Sequence, residues 1–155
     1  SSFGPVGASF VQLPSGFITN AGGSYAFHGT AGTDVGAFDA SLMLPTPLLS
    51  WTNQSAVTTI NRTSGLTVTW TGGGAGTYVS ISGGSATSQV SASFSCSAPV
   101  SAGTFTIPSY VLGILPAGSG SLVLSNNSYS SFTAPGIDVG FALGDVSFNQ
   151  NVTVQ

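Results

Sequence analysis

The chain of 155 residues has almost no charge, since charged side chains make up 3% of it. It has no lysine and one arginine, and its acidic residues are Asp34, Asp39, Asp138 and Asp145. An ordinary soluble domain is about a quarter charged. Nucleic-acid binding needs clustered lysine and arginine, and a Walker-type phosphate loop needs its lysine. The composition therefore excludes both classes of site, and we expect no nucleic acid among the partners.

Cysteine, histidine and long apolar runs are scarce as well. Cys96 is the one cysteine, so no disulfide can form within the chain, and we expect it to be a buried, inert strand residue. A Ser-His-Asp triad would have to use the one histidine, His28, as its base, whereas we expect His28 to be a strand-end residue. No apolar run approaches the ~20 residues that span a bilayer. We therefore expect no enzyme, no cofactor and no membrane span.

What the sequence does contain is alternation of apolar with small polar side chains, beside 22 glycines. This alternation predicts short β-strands, and glycine or asparagine clusters are expected to separate them at 72–76, 83–84, 118–120 and 126–127. Such a pattern is typical of an antiparallel sandwich. We expect an all-β fold, an Ig-like or jelly-roll-type β-sandwich, as a single domain over residues 1–155.

Two local predictions accompany this fold. Pro108 and Pro116 bracket a short segment with helix start and stop signals, so we expect at most one helical turn there. Trp70 alternates with threonines in Leu66–Thr71 and is expected to face the core. Trp70 and Tyr78 flank the glycine run 72–76, which indicates a β-hairpin.

An Asp-Val-Gly sequence occurs twice, in Gly32–Gly36 and in Gly136–Gly140. Paired Asp loops occur in aspartic proteases, but valine here replaces the hydroxyl residue that supports such a dyad. A calcium site using Asp34 and Asp138, completed by backbone carbonyls, is a second hypothesis. The third is that both are Asx-turns, in which the carboxylate accepts a bond from a nearby backbone N–H. We favour the turn interpretation, and we assign no metal.

Exposed aromatic side chains could bind sugars, because an aromatic ring stacks on the apolar face of a sugar and an uncharged surface suits neutral glycans. Trp51 is the candidate, since its surroundings do not alternate as clearly as those of Trp70. Ligand binding at Trp51 is thus a hypothesis for the glycan-binding alternative.

Both ends of the chain have the pattern of strands. Val6, Ala8 and Phe10 alternate near the start, and residues 146–154 alternate near the end. These strands either complete their own sandwich or add to the sheet of a neighbouring copy. We expect residues 1–13 to be a strand-exchange extension, with Val6, Ala8 and Phe10 as its assembly residues.

Two groups of motifs resemble a family of uncharacterised secreted β-rich proteins common in Acidobacteria. The first is Asp34-Val35-Gly36-Ala37-Phe38, followed by Leu48 to Trp51-Thr52-Asn53 and by Ile60-Asn61-Arg62 through Gly73. The second is Phe94-Ser95-Cys96-Ser97-Ala98-Pro99 with its continuation to Pro108, and then Leu115 through Gly118. The resemblance covers roughly residues 30 to 145. It implies an extracellular β-rich domain of bacterial source and implies no activity.

These observations favour a structural protein. The sequence begins Ser1-Ser2 with neither methionine nor an apolar leader, so we expect a processed or trimmed chain. A surface of hydroxyls with few charges suits the outside of the cell and is inexpensive to desolvate at contacts between copies. We expect a secreted or cell-surface protein that assembles with copies of itself into pilus-like fibres. The alternative is a carbohydrate-binding or adhesive module with glycans as its partners.

Overall fold

The computed structural model describes residues 12–155. This part of the chain contains ten β-strands and one short α-helix, α1 (Ser109–Leu112). The strands are β1 (Gly23–Gly29), β2 (Phe38–Leu44), β3 (Ser50–Trp51), β4 (Thr59–Ile60), β5 (Leu66–Thr71), β6 (Tyr78–Ala86), β7 (Ser91–Pro99), β8 (Thr104–Ile107), β9 (Gly118–Ala134) and β10 (Ile137–Val154). The all-β class that the alternation predicted is therefore confirmed.

A five-stranded sheet forms one layer of the fold, in the order β4-β10-β9-β6-β7. All its neighbours are antiparallel except β10 and β4, which run parallel through Thr153 and Val154. The C-terminal strand thus lies in the sheet of its own chain. The alternation in residues 146–154 is used within the molecule rather than donated to a neighbour.

A three-stranded sheet, in the order β3-β5-β8, packs against the five-stranded sheet around a common core. Trp70 is 2% exposed and lies opposite Trp51 in the β3–β5 register, as expected for a core residue. Residues of both sheets are fully buried in this core, among them Val68, Ile107, Val79, Ile81, Leu122 and Leu124. We call these two packed sheets the sandwich, and its presence confirms the predicted sandwich architecture.

The hairpin of β9 and β10 is longer than the sandwich. β6 pairs with β9 only as far as Asn126, while β9 and β10 stay paired out to the turn between Ala134 and Ile137. Strands of 17 and 18 residues are about three times the usual length. We call the projecting part, residues 127–134 and 137–145, the ribbon.

The β1–β2 hairpin is a separate two-stranded sheet, and β2 packs on one face of the ribbon through Ala40, Leu42 and Leu44, which are all buried. The partner of Leu44 in the register is Gly23, and that of Ala40 is Phe27. One face of the ribbon is thereby covered.

The predicted hairpin at residues 72–76 is wrong, because β5 and β6 belong to different sheets. The glycine run crosses from one layer of the sandwich to the other, and Gly72 and Gly73 have φ of 72° and 92°, a region that favours glycine. The predicted helical turn is confirmed as α1, which follows Pro108. No helix in residues 12–155 is long and apolar enough to cross a membrane.

Candidate functional site

The ribbon presents an apolar surface on the side away from the β1–β2 hairpin. We call it the uncovered face, and it consists of Tyr129, Val139, Phe141 and Leu143. Leu143 lies directly opposite Tyr129 in the register, and both side chains are 75% exposed. Phe141 and Val139 are 59% and 50% exposed. A group of large apolar side chains on one sheet face is the kind of patch that marks an interaction surface.

The sequence dictates this arrangement through size as well as polarity. Val139, Phe141 and Leu143 alternate with Gly140, Ala142 and Gly144, so the large side chains emerge on one face of β10 and the small ones on the other. The small residues let β2 approach closely. A β-carbon at Gly144 would lie 2.6 Å from Cδ2 of Leu44.

A hydrogen-bonded asparagine stands where the ribbon leaves the sandwich. Asn126 is 3% exposed. Its Oδ1 accepts a hydrogen bond from the backbone N–H of Gly74 at 3.1 Å. Its Nδ2 donates to Thr77 Oγ1 at 2.8 Å and to the carbonyl of Tyr78 at 2.9 Å. A buried amide is stable only when its polar atoms are paired in this way. Asn126 therefore fixes the glycine-run crossover to the base of the ribbon, although asparagine was expected to break the strand here.

The two Asp-Val-Gly segments meet at the far end of the ribbon. Gly36 donates its backbone N–H to the carbonyl of Pro135 at 2.7 Å, and Gly136 lies against the backbone of Asp34. The turn at residues 32–35 is closed by the backbone bond from Gly32 to Val35. Within residues 12–155 no carboxylate of Asp34 or Asp138 accepts a hydrogen bond from the backbone, so the Asx-turn interpretation is wrong.

The same pair of turns was the calcium candidate. In the described part of the chain, no three or more His, Cys, Asp or Glu side chains gather in one place. A site using Asp34 and Asp138 would depend on two carboxylates and on backbone carbonyls, whereas calcium takes 6–8 oxygens. The calcium hypothesis receives no further ligand from the fold.

His28 and Asp39 lie opposite each other on β1 and β2, and His28 Nδ1 contacts Asp39 Oδ1. The side chains are 75% and 84% exposed, so water screens the pair, and such pairs add little stability. In residues 12–155 the ring of His28 makes no hydrogen bond to a serine. The geometry supplies a histidine and an acid without the nucleophile that a triad requires.

Trp51 is 5% exposed, and its indole Nε1 donates to Asn53 Oδ1 at 2.8 Å. Its ring is part of the sandwich core and cannot stack on a sugar, so the hypothesis that Trp51 binds a glycan is wrong. β3 has only two residues, Ser50–Trp51, too few for the alternation that identified Trp70. Tyr129, one of the aromatic residues that an exposed sugar-binding platform could use, is 75% exposed and lines two clefts at the base of the ribbon.

The assembly candidates Val6, Ala8 and Phe10 lie outside the described residues. Cys96 is half-buried on β7 against the core, and burial raises the pKa of its thiol. A raised pKa leaves less thiolate at neutral pH. Cys96 thus lies on a strand as expected but is half-buried rather than buried, and its inertness stays a prediction.

Compared with known proteins, the chain matches no family model, no curated protein and no solved structure. The role of the uncovered face is therefore inferred from its geometry alone.

Proposed function

We propose that this chain is a secreted structural subunit that associates with copies of itself at or beyond the cell surface. The observation that carries the proposal is the uncovered face, where Tyr129, Phe141 and Leu143 are all more than half exposed. Removing such side chains from water contributes about 25 cal/mol per Å². A contact between copies is a direct way to remove them.

The charge distribution supports this proposal. Four acidic residues and one arginine give a net charge of −3, so repulsion between copies is weak. Hydroxyl side chains, which cost less to desolvate than ions, occupy neighbouring positions of the ribbon such as Ser131 and Thr133. Few ionic groups would have to be buried at a contact.

Sedimentation velocity over a range of protein concentrations tests the proposal. We expect the average mass of the full chain to rise with concentration, and the double variant Phe141→Ser/Leu143→Ser to remain monomeric. Tyr110→Ser/Ile114→Ser is the matched control, because both residues are exposed apolar side chains outside the ribbon. A full chain that stays monomeric at every concentration contradicts the proposal.

Glycan binding is the second candidate, favoured by one observation. A cleft of about 450 Å³ lies at the base of the ribbon beside Tyr129, and Asn127, Ser128 and Thr77 are among its lining residues, none of which is charged. An exposed tyrosine beside amide and hydroxyl groups suits a neutral sugar. A glycan array would show binding that Tyr129→Ala abolishes and Tyr110→Ala retains; equal binding by both variants, or none by the wild type, contradicts this candidate.

A further inference from the structure

An apolar cleft of about 300 Å³ lies between the β1–β2 hairpin and β10. Phe27, Phe38 and Phe132 line it, and Phe38 stacks on Phe132 with ring centroids 4.6 Å apart. Phe141 and Leu143 of the uncovered face also border this cleft, along the edge of β10. Phe27 is 46% exposed although its register partner Ala40 is buried, so the hairpin covers the ribbon incompletely on this side. The lining has no charged side chain and consists of Phe27, Phe38, Ala40, Phe132, Phe141, Ala142 and Leu143.

The cleft runs beside an open strand edge. On the side away from β9, the described residues pair with β10 only at Thr153 and Val154. The backbone N–H of Thr153 donates to Thr58 on that side, and the carbonyl of Asn149 accepts from Gln54 Nε2 there at 3.0 Å. Backbone groups of alternate residues point the same way along a strand, so the odd-numbered residues from 141 to 147 direct theirs outward.

An open edge beside an apolar cleft is the arrangement that accepts an added β-strand. Main-chain hydrogen bonds supply affinity, and alternate side chains of the incoming strand fill the cleft. Seven residues, 141–147, offer an edge of about 23 Å at ~3.3 Å per residue. The incoming strand must therefore be about seven or eight residues long, uncharged, and apolar at every second position.

One segment of the sequence meets all these requirements and lies outside the described residues. Residues 4–11 read Gly-Pro-Val-Gly-Ala-Ser-Phe-Val, with no charge and with Val6, Ala8 and Phe10 in alternation. The other segments for which alternation predicted a strand are already paired within the sheets described above. The small residues Gly7 and Ser9 fall between the apolar ones.

We propose that the cleft beside β10 binds residues 4–11 of a second copy as an added β-strand, with Val6, Ala8 and Phe10 directed into it. This inference rests on the proposed self-association and specifies its donor and its acceptor. Each copy has one donor segment and one acceptor edge, so the contact is heterologous and its repetition links copies head to tail.

Site-specific cross-linking of the full chain tests the pairing. Two variants in a Cys96→Ala background, Ala8→Cys and Ala142→Cys, are mixed and oxidised, and we expect a mixed disulfide dimer. The matched control replaces Ala142→Cys by Ser97→Cys, which is exposed on β7 at the other edge of the same sheet. We expect at least about tenfold less mixed dimer with this control.

A proline variant separates strand addition from stacking of uncovered faces. Asp145→Pro removes one outward N–H, and proline is tolerated on edge strands; Asp145→Ala removes the same charge and keeps the N–H. We expect Asp145→Pro to raise the concentration for half-assembly about tenfold relative to Asp145→Ala. Circular dichroism checks that both variants are folded.

The outcomes distinguish this inference from the function on which it rests. If the chain assembles but the mixed disulfide does not form, residues 4–11 and the cleft beside β10 are not the donor and acceptor. The proposed self-association is then still supported. If a variant carrying both cysteines forms the disulfide within one monomer and no mixed dimers appear, residues 4–11 bind the cleft of their own chain. That result contradicts the proposal that a second copy supplies the strand. A full chain that is monomeric under all conditions contradicts both proposals.

Discussion

The two halves of the β9–β10 hairpin have the same alternation but differ in what lies on their faces. In the sandwich half, Leu122 and Leu124 are fully buried beneath the three-stranded sheet. In the ribbon half, Leu143 and Tyr129 occupy an equally regular alternation and are 75% exposed. The comparison shows that alternation determines which side chains share a face, whereas a second layer determines whether that face is buried.

The largest expected difference comes from truncating one leucine in each half. Leu124→Ala removes a fully buried side chain and should lower the free energy of unfolding by about 2–5 kcal/mol. Leu143→Ala removes an exposed side chain and should change it by no more than about 0.5 kcal/mol. Urea unfolding followed by fluorescence of the buried Trp51 and Trp70 measures both variants at a protein concentration where the chain is monomeric. Equal losses would mean that the ribbon contributes to the core as much as the sandwich does.

A smaller and more local effect is expected where the β1–β2 hairpin packs on the ribbon. Gly144→Val places a branched side chain against Leu42 and Leu44, whose Cδ2 atoms would lie 2.9 and 2.6 Å from the new β-carbon. Overpacking of this kind costs about 1–3 kcal/mol, and we expect that cost to weaken the docking of the hairpin rather than the sandwich. Hydrogen exchange should quicken in β1 and β2 while the amides of β6 remain protected.

The matched control for this variant is Ser147→Val, which adds the same side chain at an exposed position of β10. It should leave exchange in β1 and β2 unchanged. Faster exchange throughout the molecule after Gly144→Val would instead show that the ribbon and the sandwich unfold as one unit.

The same contrast explains which parts of the fold were predictable. Alternation identified segments of most sandwich strands, although not of β3 or β8, and the core position of Trp70, because a period of two is a local property of the sequence. It failed at Gly83, Gly84 and Gly120, which were expected to break strands and lie inside β6 and β9. A β-carbon at Gly120 would lie 2.7 Å from the carbonyl oxygen of Gly84, so these glycines permit a close approach between strands.

The candidate site was harder to predict, because exposure depends on contacts between distant segments. Trp51 was selected as exposed and is buried, since its two-residue strand gave no alternation to interpret. The large residues of the uncovered face alternate with Gly140, Ala142 and Gly144, a pattern that does signal a strand with one tightly covered face. Which face β2 covers is nevertheless a property of the tertiary fold alone.

The smallest expected effect is a pH-dependent change in stability caused by the Cys96 thiol. Placing a thiol in the ribbon instead of the sandwich compares the two halves in this respect. Burial raises the pKa of Cys96, so the native state holds this proton more tightly than the unfolded state does. The resulting contribution to stability is fully present below the ordinary thiol pKa of about 8.5 and is lost as the pH rises through the higher native pKa. Above pH ~8.5 the free energy of unfolding of the wild type should therefore fall relative to that of Cys96→Ala. Urea unfolding under reducing conditions measures both. Cys96→Ala/Leu143→Cys carries its thiol at an exposed position of the ribbon, where burial adds no proton affinity, and its pH dependence should match that of Cys96→Ala. A loss of stability in this double variant equal to that of the wild type would show that the thiol environment of the ribbon resembles that of the sandwich, against the exposure that separates the two halves.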